Sequence, residues 1–169
     1  MNKLIPAAAL ILLAAAAGTA QADPASVAPP EGTKLILSAQ AEGVQIYACE
    51  AKDQGFAWIF KAPEAALFDQ SGRQILHHFA GPSWKADDGT TLVGELVAKA
   101  DAPTPNTIPW LLLKAKSHEG TGALAKAGFI RRIDTKGGNA PAGGCDKAEA
   151  GKEARMRYSA TYEFYGAGS

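Results

Sequence analysis

Cysteine, methionine and histidine are scarce in this sequence, whose 169 residues contain two, two and three of them. No C-x-x-C pair occurs and no histidine lies near either cysteine in the sequence, so the spacing typical of a zinc site or a redox-active dithiol is missing. An excess of charge is also missing. Seventeen basic residues balance 17 acidic ones without a run of like charge, which argues against nucleic acid or an acidic membrane surface as a partner.

A long apolar run occurs only near the N-terminus. Lys3 precedes an apolar stretch over residues 4–17, and Ala20-Gln21-Ala22 has the small-x-small pattern of a cleavage site. The stretch is shorter than the roughly 20 residues that span a bilayer. Residues 1–22 are therefore predicted to be a secretory signal peptide, and no membrane span is expected in the mature chain that begins at Asp23. The protein is predicted to be periplasmic or secreted.

The only cysteines, Cys49 and Cys145, both fall in the exported part of the chain. An oxidising compartment lets two thiols pair, so a disulfide between them is the expected state. A free redox thiol and a metal site are the alternatives, and neither has the neighbouring residues that it needs. No metal and no cofactor are predicted.

Alternation with a period of two dominates the chain, and helical periodicity is almost absent. Residues 23–32 contain three prolines and are predicted to form an extended leader. Gly43 is predicted to turn the chain between strands over residues 34–41 and 44–50. The last strand gives the clearest pattern, because polar residues alternate there with an inner face of Met156, Tyr158, Ala160, Tyr162 and Phe164.

These segments predict a single all-β domain over residues 33–169. Eight or nine short strands separated by turn residues favour an antiparallel β-sandwich or a partly closed barrel, stapled by one disulfide.

Several segments occur in the order typical of one family. They are Gly43-Val44-Gln45-Ile46-Tyr47-Ala48-Cys49, His78-Phe79-Ala80-Gly81-Pro82-Ser83-Trp84, Ile108-Pro109-Trp110-Leu111-Leu112-Leu113-Lys114-Ala115 and Gly144-Cys145-Asp146, among others. On these segments the chain resembles the exported bacterial and fungal proteins of "domain of unknown function 3455", over nearly the whole mature chain. The resemblance implies no activity. Phe79 stands where that pattern leads us to expect tyrosine, and Lys85 where it leads us to expect an acidic residue.

Chemically capable side chains are concentrated in residues 77–89. Ser83, His78 and Asp87 lie within ten residues and could form a triad, but Lys85 replaces the second glycine of a nucleophile elbow. His77 and His78 with Asp87 or Asp88 could bind a metal, but neighbouring residues of a strand point to opposite faces.

Trp84 and Arg132 suggest ligand binding instead. Trp84 is predicted to lie on a loop beside carboxylates and a histidine, a combination that can grip a sugar or a small polar ligand. A loop position also predicts that Trp84→Ala leaves folding largely intact. Arg132 is a lone basic residue on an apolar strand, for which an internal ion pair with Glu64 or Asp69 is the alternative.

Our first hypothesis is a module that binds a small molecule, a saccharide or an envelope component. Its contact residues would come from His78, Trp84, Asp87, Asp88 and Arg132. A hydrolase that uses His78 with Asp87 or Asp88 as an acid–base pair is the alternative, and a structural or stress-related envelope protein without a ligand is the third. The sequence does not predict an oligomeric state.

Overall fold

The computed structural model describes residues 24–168, so the predicted signal peptide over residues 1–22 lies outside the described residues. One turn of 3₁₀ helix (Pro24–Val27) precedes eight strands. The strands are β1 (Thr33–Lys52), β2 (Gly55–Phe68), β3 (Gln74–Phe79), β4 (Ser83–Ala86), β5 (Thr91–Ala100), β6 (Trp110–Glu119), β7 (Phe129–Gly137) and β8 (Glu153–Ala167).

The eight strands form one closed, antiparallel barrel. Each strand pairs with its neighbours in the sequence, and β8 returns to pair with β1. This last pairing runs from Thr33 opposite Ala167 to Ala48 opposite Glu153, so it spans the whole of β8, with one bulge in β1 between Leu35 and Leu37. The predicted all-β antiparallel fold of about eight strands is confirmed, and the barrel is fully closed. No helix among residues 24–168 has the length and hydrophobicity needed to cross a membrane.

Gly43 does not turn the chain, and the prediction of two strands there is wrong. β1 runs unbroken through Gly43, which pairs with Ala65 on one side and Tyr158 on the other. A Cβ atom at this position would overlap the Glu64 carbonyl and Ala65. The glycine therefore lets the backbones of two strands approach closely, which is another reason for a glycine to occur within a strand.

The leader is not extended throughout, contrary to the sequence-based prediction for residues 23–32. Pro24–Val27 form the 3₁₀ turn, and Val27 is fully buried in a small cluster with Ala100 and Leu112. This apolar contact holds the leader against the outer face of β5 and β6.

Large side chains fill one half of the barrel. Tyr158, Ala160, Tyr162 and Phe164 of β8 all point inward and are at most 4% exposed, as their alternation predicts. Leucines and an isoleucine from other strands pack around them, namely Leu67, Leu76, Leu92, Leu113 and Ile130. We call the barrel end at which β1, β3, β5 and β7 finish the mouth, and the opposite end the base.

A disulfide joins Cys49 of β1 to Cys145, with Cα atoms 5.4 Å apart, as the sequence predicts. Cys145 belongs to the connection between β7 and β8, residues 138–152, which we call the mouth loop. The Tyr47 hydroxyl donates to the Gly138 carbonyl at 2.7 Å, and Trp58 Nε1 donates to the Gly143 carbonyl at 2.9 Å. The mouth loop is thus fixed to β1 and β2 at several points.

Candidate functional site

A cavity of about 170 Å³ opens at the mouth of the barrel, above the filled half. All eight strands and the turn between β3 and β4 contribute residues to it. Among residues 24–168, no acidic residue lines the cavity, and its walls are mainly apolar. The lining residues are Gln45, Phe60, Lys61, Pro63, His78, Gly81, Pro82, Trp84, Leu96, Leu111, Leu113, Arg132 and Tyr162.

Trp84 forms part of the cavity floor and does not lie on a loop. It is the second residue of β4 and is fully buried, so its predicted position is wrong. Its ring stacks on His78, its cross-strand partner, with centroids 4.5 Å apart and planes 6° from parallel. Gly94 makes room for it, because a Cβ there would lie 3.0 Å from the Trp84 ring.

His78 is a buried, neutral imidazole. Its Nδ1 lies 2.9 Å from the Ser83 carbonyl oxygen, which can only accept a hydrogen bond, so Nδ1 carries the proton. The edge of Tyr162 completes its surroundings, with centroids 5.1 Å apart. Burial lowers the pKa of His78 to about 4, the hydrogen bond to Ser83 opposes this, and the positive charge of Arg132 lowers it further.

Arg132 brings a positive charge to the wall of the cavity. Its side chain is buried, and its Nε and Nη2 donate to the Pro109 carbonyl at 3.2 and 2.8 Å. Burial raises the pKa of Tyr47 and of Tyr158, and the charge of Arg132 opposes both shifts. The guanidinium therefore acts on several groups around the floor, and not on His78 alone.

Two buried donors beside the cavity have no hydrogen-bond partner among the described residues. They are Gln45 Nε2 and Trp84 Nε1, on side chains that are 3% and 0% exposed. Gln45 was not among the residues selected from the sequence. Its signal was present, because Gln45 shares one face of β1 with Tyr47 and Cys49 and is the polar member of an otherwise apolar face.

Asp87 and Asp88 lie at the base of the barrel, away from His78. Asp87 and Asp88 line a surface hollow with Leu37, Asp69 and Arg73. Asp88 Oδ1 and Oδ2 accept hydrogen bonds from the backbone N–H groups of Thr90 and Ala123, each at 2.8 Å. The structure thus brings His78, Trp84 and Arg132 together and separates both aspartates from them.

The catalytic and metal arrangements suggested by residues 77–89 are not assembled. The Ser83 carbonyl, not its hydroxyl, contacts His78. His77 points to the outside of the barrel, where its ring lies 2.7 Å from the Gln74 amide. Within residues 24–168, no three His, Cys, Asp or Glu side chains are grouped so that they could hold a metal ion.

Comparison with known proteins identifies the family. The family model described as "Protein of unknown function (DUF3455)" matches residues 29–166, which include β1 to β7, all of β8 except its last residue, both cysteines and the whole cavity lining. The chain belongs to the DUF3455 family. Searches of curated proteins and of solved structures found no match. The family assignment confirms the resemblance.

His78 predicts an acid-sensitive stability. The unfolded chain takes up a proton at His78 near pH 6.5, whereas the folded protein does so only near pH 4. Stability from this group is complete above pH 6.5 and is lost as the pH falls to 4, by about 3 kcal/mol in total. Urea unfolding at intervals from pH 7 to pH 4 measures the loss. Arg132 and Tyr162 are the other titratable groups that face His78.

Two variants isolate the contribution of His78. His78→Asn keeps a donor for the Ser83 carbonyl but cannot titrate, so its stability should change little between pH 6.5 and 4. His77→Asn removes the exposed neighbour and should keep the full slope. Asp69 contributes equally to the wild type and both variants, because hydrogen bonds from the Ser71 side chain and nearby backbone groups lower its pKa from 3.8 to about 2 in each of them. An unchanged slope in His78→Asn would contradict the assignment.

Proposed function

We propose that this DUF3455 protein is an exported binding protein that holds one small molecule in the mouth cavity. The observation that carries the proposal is a cavity with apolar walls and unpartnered buried donors at its floor. Ligand sites in proteins commonly combine an apolar lining with a few convergent polar groups. An eight-stranded barrel has room for one small ligand when side chains do not fill its interior.

The size of the cavity limits the ligand. A volume of about 170 Å³ is close to that of an engineered apolar cavity of roughly 150 Å³ that binds benzene. The ligand portion held inside is therefore a single ring or a short aliphatic chain. Phe60 and Leu96, which are 49% and 56% exposed, stand at the rim, where they can contact a part of the ligand that projects outward.

The unpartnered donors favour an occupied cavity. A buried polar group without a partner costs about 1–3 kcal/mol, and Gln45 Nε2 and Trp84 Nε1 are two such groups beside one cavity. A ligand that places acceptor oxygens beside Gln45 and Trp84 would satisfy them. This supports a binding protein over a structural protein without a ligand, and the separation of His78 from both aspartates gives the hydrolase alternative no support.

Export is part of the same proposal. The support is the Cys49–Cys145 disulfide, because disulfides persist in the oxidising compartments outside the cytosol. The predicted signal peptide over residues 1–22 agrees with it.

Filling the cavity should abolish binding. Leu111 lines the cavity and pairs across the sheet with Arg132, so the indole in Leu111→Trp would occupy much of the space. Thermal-shift measurements with benzyl alcohol, benzamide and benzoate test this, because a ligand that binds the native state raises the Tm. At least one of these compounds should raise the Tm of the wild type and leave the Tm of Leu111→Trp unchanged.

Leu35→Trp is the control, because Leu35 is 52% exposed on the outside of the barrel. It should bind like the wild type. If Leu111→Trp does not fold, Leu96→Trp at the exposed rim takes its place. Equal binding by the wild type and the cavity-filling variant would show that the cavity is not the site.

A further inference from the structure

The unusual feature of the cavity is a buried cation without an anion. Arg132 is 8% exposed, and no carboxylate of residues 24–168 forms an ion pair with it. The two acids that the sequence suggests as partners are engaged elsewhere: Glu64 pairs with Arg155 and Asp69 with Arg73. Moving an isolated charge out of water costs several kcal/mol. Buried charges in proteins are therefore usually paired.

Within the described residues, Arg132 donates hydrogen bonds to a single carbonyl oxygen. Nε and Nη2 both donate to Pro109, which uses two of the five N–H groups of the guanidinium. The remaining three belong to Nη1 and Nη2, which together form the fork that binds a carboxylate through two parallel hydrogen bonds. The Pro109 carbonyl fixes the guanidinium in place without neutralising it.

The rest of the cavity fits a single negative charge. Lys61, the other basic residue of the lining, is already paired with Glu50 and lies half-exposed at the rim. Within the described part of the chain, the lining thus offers one buried cation and contains no acidic residue that would repel an anion. Gln45 Nε2 and Trp84 Nε1 add neutral donors, which suit acceptor oxygens.

We infer that the ligand is a small monocarboxylate whose acid group pairs with Arg132 and whose ring or short chain lies between the apolar walls. This inference rests on the proposed function and adds the chemical class of the ligand. A phosphate ester would bring two negative charges to one cation, so the carboxylate is the better match.

The test compares probes that differ only in the charged group. Binding of benzoate and benzyl alcohol, and of hexanoate and 1-hexanol, is measured by isothermal titration calorimetry on the purified wild-type protein at pH 7. A hydrogen bond to a charged group increases affinity by about tenfold to a hundredfold. We therefore expect each carboxylate to bind roughly tenfold to a hundredfold more tightly than its alcohol.

Variants at neighbouring positions assign the preference to one side chain. Arg132→Gln should bind benzoate and benzyl alcohol equally, and Arg132→Lys should keep part of the preference. Arg131→Gln is the matched control, because Arg131 is the adjacent residue of β7 and pairs with Glu163 on the outer face. It should discriminate like the wild type. If Arg132→Gln does not fold, the probe pairs on the wild type still decide the question.

The outcomes separate this inference from the proposed function. Equal affinity of the wild type for acids and alcohols would overturn the carboxylate assignment and leave the binding cavity standing. Tighter binding of phenyl phosphate than of benzoate would also overturn it, in favour of a phosphate ligand. Binding of neither the acids nor the alcohols would overturn both.

Discussion

Reduction of the Cys49–Cys145 disulfide is expected to lower the free energy of unfolding by about 4–5 kcal/mol, and the Tm by roughly 10–15 °C. The cysteines are 96 residues apart, so the cross-link removes a large loop-closure entropy from the unfolded chain. The native contacts should change little, because Tyr47 and Trp58 also hold the mouth loop. Most of the effect thus acts on the unfolded state.

Chemical denaturation with and without reductant measures the effect. The Cys49→Ala/Cys145→Ala double variant should resemble the reduced wild type and should not respond to reductant. Equal stability of the oxidised and reduced wild type would contradict the expectation.

Replacement of Trp84 by alanine is expected to cost about 3–5 kcal/mol. The side chain is fully buried and stacks on His78, while the edges of Tyr162 and Phe164 lie against it at centroid distances of 5.8 and 5.9 Å. Removing the indole would leave an empty space that extends the mouth cavity toward the packed half of the barrel. This reverses the expectation from the sequence, in which a loop tryptophan contributes to binding alone.

Trp84→Phe separates packing from hydrogen bonding. It keeps an aromatic ring against His78 and removes an indole N–H that has no hydrogen-bond partner within residues 24–168, so we expect it to cost well under half as much as Trp84→Ala. Trp58→Ala is the control for a partly exposed tryptophan and should cost less than Trp84→Ala. Equilibrium unfolding in urea gives all three values. Near-wild-type stability of Trp84→Ala would show that Trp84 is not part of the core.

The alternation of apolar residues predicted the fold well. The face of β8 that carries Tyr158, Tyr162 and Phe164 points inward as expected, because a period of two places those residues on one side of a strand. The disulfide followed from the number of cysteines and the predicted compartment. Closure of the sheet could not be predicted, because no local pattern in β1 or in β8 indicates that these two strands pair with each other.

The candidate site was predicted in part. Proximity in sequence grouped His78 with Asp87 and Asp88, but β4 carries the chain from the mouth to the base between them. A strand advances about 3.3 Å per residue, so a few residues suffice to separate two side chains. β4 has only four residues, too few for its alternation to be visible beside Pro82 and Asp87, so the sequence pattern predicts a loop at Trp84.

Arg132 illustrates a different limit of prediction from the sequence. Its position on a strand with several apolar residues was visible in the sequence and singled it out, although Arg131 precedes it. Whether it had an acidic partner depended on the pairing of Glu64 with Arg155 and of Asp69 with Arg73. Those contacts arise from the three-dimensional arrangement of side chains and have no local signature.

The order of strands around the barrel also bears on how the chain folds. Seven of the eight pairings join strands that follow each other in sequence, and only that of β1 with β8 brings together distant parts of the chain. Long-range pairings are the slow ones, because the intervening chain must first be confined. The disulfide ties the end of β1 to the connection that leads into β8. When the disulfide is intact, the unfolded chain therefore already holds β1 near β8 as refolding begins. The β1–β8 pairing, which would otherwise be the slowest to form, then closes only a short loop.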